Sequence, residues 1–170
     1  MKGTISVLVA VAVAVVAAAV AHANSWGPET PNFNLEVILR PLSSAGSGFG
    51  HVKFRQPNDE ARIIYLDTWL RDLQPNHDYL LQRQVDTVPD GDCTDSPSTW
   101  LTLGEGPTAT PITTDDKGTA RASLFRDLDP PGPMTGPQPG TAFDIHFRVV
   151  DAGTLGTVLE SGCYQFTVSL

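Results

Sequence analysis

Few side chains in this sequence are suited to chemistry: two cysteines, four histidines and a knot of aspartates in one segment. Asp86, Asp90, Asp92 and Asp95 fall within ten residues and surround Cys93. Hard carboxylate oxygens at short spacing are what calcium selects, so calcium is the candidate cofactor for this segment. The spacing is not the D-x-D-x-D-G loop with a distant Glu. The same residues serve equally as caps of Asx turns in an acidic surface loop. His51, His77 and His146 are a second candidate set, because three imidazoles suit a zinc ion with one open position. Against it, the alternation around His51 and His146 puts both on the polar side of separate strands. Trp100, next to a Gly/Pro loop, is a candidate platform for a carbohydrate or peptide, whereas Trp69 reads as core.

Known catalytic patterns are missing. The sequence holds no nucleophile elbow, no H-E-x-x-H, no P-loop and no dinucleotide fingerprint. Ser43, Ser44 and Ser47 sit in a Gly-rich stretch with no motif-linked His or acid. A triad dispersed over several strands is recognised only by geometry.

Cys93 and Cys163 are expected to form one disulfide, because the chain reads as exported. Met1-Lys2 precedes an apolar run from Ile5 to Ala21, broken only by Ser6, and Ala21-His22-Ala23 follows. These are the basic, apolar and A-x-A regions of a signal peptide over residues 1–23. The alternative is a retained anchor, for which the Ala/Val-rich run is short. Cleavage leaves residues 24–170 as a single domain, soluble and without a membrane span. The loss of Lys2 leaves ten Lys and Arg against nineteen Asp and Glu, a net charge of −9. Such a chain repels nucleic acid and anionic lipid, so neither is an expected partner.

The elements that must position these residues read as strands. Phe33, Leu35, Val37 and Leu39 alternate with polar residues up to Pro41. Val52 and Phe54, Ile63 to Leu70, and Tyr79 to Val85 continue the pattern. Ile112 to Thr114 and Thr119 to Ala122 read as a hairpin in which Gly118 supplies a positive φ. Asp129 to Gly140, with five Pro and three Gly, admits no regular element. Phe143, Ile145, Phe147, Tyr65 and Phe166 are expected in the core, with Asp144, His146 and Arg148 on the opposite face. Thr157–Leu159 and Tyr164–Leu170 close the chain. About eight short strands and no helical period predict an all-β fold, an antiparallel Greek-key β-sandwich of immunoglobulin-like type.

Leu73-Gln74-Pro75-Asn76-His77-Asp78-Tyr79, then Gly91-Asp92-Cys93, Thr114-Asp115-Asp116-Lys117-Gly118 and Ser161-Gly162-Cys163 follow one another in a suggestive order. Over residues 48–170 that order resembles copper/zinc superoxide dismutases and the related CHRD-type exported sandwiches. The resemblance implies a Leu-x-Pro turn, a strand, a Gly-Asp-Cys loop and a disulfide to a late strand. The dismutase pattern then needs an H-x-H pair, where this chain has Leu80-Leu81-Gln82, and His77 falls on a non-ligand position. The expected function is a secreted or cell-surface, non-enzymatic β-sandwich that binds or scaffolds an extracellular ligand. The alternative is a metal-dependent enzyme or metal carrier of the dismutase-like class.

Overall fold

Wherever apolar and polar residues alternate, the chain is extended. Strands β1 (Phe33–Pro41), β2 (Phe49–Gln56), β3 (Ile63–Arg71) and β4 (Asp78–Asp86) come first. Four two-residue pieces follow: β5 (Leu101–Thr102), β6 (Gly104–Glu105), β7 (Thr108–Ala109) and β8 (Ile112–Thr113). Then come β9 (Ala120–Asp127), β10 (Ala142–Asp151), β11 (Thr157–Ser161) and β12 (Tyr164–Thr167). This is a computed structural model, and it describes residues 33–44, 46–95, 97–129 and 136–169. The leader read at residues 1–23, and Trp26, lie outside the described residues. No helix among the described residues is long and apolar enough to cross a membrane.

All twelve strands join in one mixed sheet, in the order β5-β4-β10-β11-β1-β2-β3-β9-β6-β7, with β12 on β10 and β8 on β4. Hydrogen bonding thus links into one sheet what the sequence suggested as two packed ones. Every ladder is antiparallel except β6 against β9, through Glu105 and Phe125. The sheet nearly closes into a barrel because β5, at one end of the strand order, and β6, next to last at the other, are separated by Leu103 alone. Leu103 N donates to Leu81 O on β4 at 2.8 Å, and Gly106 N donates to Phe125 O on β9 at 3.0 Å. Residues 101–106 therefore cross the seam between β4 and β9.

The seam is shut at one end. There β8 pairs with β4 through Tyr79 and Ile112 and also touches β9. The turn after β8 plugs that end. Asn76 N donates to Asp115 O at 3.0 Å, Leu73 N to Gly118 O at 3.2 Å, and Thr114 Oγ1 to Gln74 O at 2.6 Å. Gly118 has φ +72°, and a Cβ there would lie 2.0 Å from the Leu73 carbonyl oxygen, so only glycine fits. The expected turn exists, but its hairpin does not: β8 takes β4 as partner and β9 takes β3. The other edge of β9 pairs with β6 through Phe125.

The core sits inside the barrel. Leu35, Val37, Val52, Phe54, Leu66 and Phe147 are almost wholly buried, and Phe54 meets Phe166 edge-on at 4.8 Å. Ile145, Phe147 and Phe166 are buried as expected, and Phe143 packs half-buried against them. Tyr65 corrects the expectation. The inward phase of β3 is Ile64, Leu66, Thr68 and Leu70, which leaves Tyr65 on the outer face, 37% exposed, beneath Arg55. Trp69 shares that outer phase and stacks on His51 at 5.2 Å. Asp144 is the opposite correction. It faces outward yet is fully buried, because the loop tied down by the disulfide covers it. The last two strands do not pair with each other. β11 and β12 lie along successive stretches of β10, interrupted at Gly162-Cys163.

Candidate functional site

The seam opens at the end remote from β8. There the barrel interior holds a cavity of about 400 Å³. Its apolar wall comes from Phe54, Ile64, Leu66, Leu103, Ile145 and Phe147. Val85 on β4, Leu128 after β9, and Gly136-Pro137 complete it. A Cβ on Gly136 would lie 1.6 Å from the Leu128 carbonyl oxygen, so glycine allows the two rim segments to meet. Arg62 ties the rim together. Its guanidinium donates to both Asp129 carboxylate oxygens at 2.8 Å and to the Pro137 carbonyl.

Two arginines enter this apolar space. On β4 the inward phase runs Tyr79, Leu81, Arg83, Val85. On β9 it runs Ala120, Ala122, Leu124, Arg126. Arg83 lies opposite Phe147, and Arg126 opposite Ile64, so both leave the backbone beside buried apolar residues. Burial first, and then the Arg126 charge, hold the Arg83 guanidinium below its usual range. Among the described residues neither guanidinium has an ion pair or a side-chain hydrogen bond. Asp127, Thr87 and Thr141 also line the cavity, and the Asp127 carboxylate accepts the Asp129 N–H at 2.8 Å.

Cys93 and Cys163 form the expected disulfide, with Cα atoms 5.7 Å apart. It ties the aspartate-rich loop to the break between β11 and β12. Asp86 and Asp144 are cross-strand partners and both are fully buried. Asp86 accepts the Val88 N–H at 3.0 Å, Asp90 the Asp92 N–H at 2.9 Å, and Asp92 the Thr94 N–H at 3.1 Å. These carboxylates act as turn caps. Asp95 is raised above the usual range by a hydrogen bond with Asp90 and by the neighbouring negative charges. Asp144 is raised chiefly by burial, then by Asp90 and Asp86, against the Gly91 N–H donated to it at 2.5 Å.

The three histidines stand apart, each beside its own carboxylate. His51 meets Glu36, His77 meets Asp151 at 2.5 Å, and His146 meets Glu160 at 2.8 Å. Among the described residues no group of three or more His, Cys, Asp or Glu converges as a metal site would. Trp100 is half-buried, with Arg148 over its ring at 4.0 Å and His146 edge-on at 4.7 Å. Neither a protein-family model nor a curated protein sequence matches this chain.

Arg83 and Arg126 were not among the residues singled out from sequence. The signal was present: each occupies an inward position of an alternating strand, Leu81-x-Arg83-x-Val85 and Leu124-x-Arg126-x-Leu128. A charged residue on the apolar phase of a strand is a departure worth reading, since burying an unpaired charge is costly.

Proposed function

We propose that this chain is an exported, non-enzymatic binding module that takes up an apolar small molecule in the open end of its barrel. The observation that carries this reading is the cavity of about 400 Å³, walled by aromatic and aliphatic side chains. Small-molecule sites span roughly 300–1,000 Å³ and are lined in this way. Close-packed interiors ordinarily leave few voids larger than a water molecule, so an apolar space of this size at the end of the barrel supports the reading as a ligand site. The disulfide supports export to the cell surface or beyond, where oxidised cysteines persist. The separation of His51, His77 and His146 favours this reading over the dismutase-like metal enzyme or carrier.

The test is saturable binding of a neutral, environment-sensitive naphthylamine dye, followed by fluorescence. Val85 is half-buried on the cavity wall, and Val85→Trp puts an indole into the space. The unaltered protein should enhance dye emission with one-site saturation. Val85→Trp, folded by circular dichroism, should not. Equal enhancement by both proteins would contradict the reading.

A further inference from the structure

Unpaired cations in an apolar space define what the space accepts. Arg83 and Arg126 project from the two strands that flank the seam, β4 and β9, and no described carboxylate or carbonyl answers either guanidinium. Two like charges held together in such surroundings repel each other, and each has lost part of its hydration. An anion entering between them relieves both costs. Guanidinium is also the side chain best matched to a carboxylate, through paired N–H donors in a planar fork.

We propose that the cavity selects a single-chain amphiphile carrying a carboxylate, its anionic head held by Arg83 and Arg126. The proposal rests on the reading of the cavity as a ligand site and names the class of ligand. Charge balance favours a monoanion. Counted by residue, Arg83, Arg126 and Asp127 on the lining sum to one positive charge, which a carboxylate neutralises and a phosphate dianion overshoots. Thr87 and Thr141, both exposed, stand on the rim of the same lining. The remaining wall offers an alkyl chain only apolar contact. The protein as a whole is acidic, with nineteen Asp and Glu against eleven Lys and Arg. The anion is therefore recognised at short range inside the barrel, not gathered by the net field.

The test is displacement of the neutral dye from the exported protein by decanoate, decanol and decyltrimethylammonium, which share one chain and differ in head charge. Decanoate should bind about tenfold to a hundredfold more tightly than decanol, the worth of charge-assisted hydrogen bonds. The cation should be the weakest. In Arg83→Gln/Arg126→Gln the ratio of decanol to decanoate dissociation constants should fall to about one, the ratio expected without that charge-assisted term. Arg121→Gln, on the exposed outer face of β9, should keep the ratio of the unaltered protein. The ligand series on the unaltered protein stands alone if the double variant fails to fold. Equal binding of decanoate and decanol, or tightest binding of the cation, would overturn the carboxylate proposal while leaving the apolar site intact. Failure of the dye itself to bind would remove the cavity reading and the proposal with it.

Discussion

Single residues carry the pH behaviour of this protein, and two aspartates act in opposite directions. Asp151 is lowered to about 2, first by the Thr154 backbone N–H and then by His77. Its folded value lies below the ordinary carboxylate value, so its stabilisation is fully present above about pH 4 and is lost as the pH falls toward 2. Asp144 is raised, chiefly by burial. Its folded state prefers the proton, so the ionised group opposes folding at neutral pH and that penalty fades on acidification. Asp144→Asn should therefore raise the melting temperature at pH 7, with a smaller gain at pH 4, measured by calorimetry at both values. An equal gain at the two pH values would place the effect elsewhere. Asp144 Oδ1 is buried without a partner, beside Asp86 and Asp90, and an amide removes one of the facing charges. Arg83 belongs to the same class. Replacing it with Met should stabilise the folded protein by about 1 kcal/mol, because the cation is partly desolvated and unpaired. Thermal melts of the two proteins without ligand check this.

At the scale of elements, alternation made most of the strands legible. Seven of the eight strands of four or more residues fall where period-2 patterning or β-branched runs put them, and β9 runs on to Asp127 from an expected arm that ended at Ala122. Phase within a strand was less legible where residue type competed with it. Tyr65 is aromatic but sits on the outward phase of β3, and phase wins because Ile64 and Leu66 already fill the inward side. Asp144 is outward by phase yet buried, because a loop some fifty residues earlier in sequence folds over it, and no local pattern records that cover. Of the two-residue strands, β8 falls in the expected hairpin arm, whereas β5 to β7 have no alternation to read. They exist because the seam needs bridging. The disulfide was legible from compartment and cysteine count alone. It closes a loop of 70 residues, so Cys93→Ser/Cys163→Ser should cost about 2–5 kcal/mol by urea unfolding. Ile145→Ala, at a position 3% exposed on β10, should cost roughly 2–5 kcal/mol if neighbouring side chains close in only partly. A loss below about 0.5 kcal/mol would mean that β10 does not present Ile145 to the core.

At the scale of the whole molecule, the described residues form a sheet closed at one end and open at the other, and the proposed function follows from that asymmetry. The closed end is filled by Leu39, Leu70, Tyr79, Ile112 and Leu159 and plugged by the Leu73 and Gly118 contacts. The open end leaves Ile64, Leu66, Val85, Leu103, Leu128 and Ile145 around a cavity. Neither end is visible from sequence, because closure depends on how residues 101–113 cross from β4 to β9, a long-range pairing with no local signature. The central claim is that a ligand enters the open end. Carbon-detected methyl NMR during titration with decanoate tests it most directly, because the two ends carry separate sets of methyl groups. The methyls of Ile64, Leu66, Val85, Leu103, Leu128 and Ile145 should shift together and saturate, while those of Leu39, Leu70, Ile112 and Leu159 stay in place. Shifts confined to outward-facing methyls such as Leu42 and Leu155, or no saturable shift at all, would contradict the account.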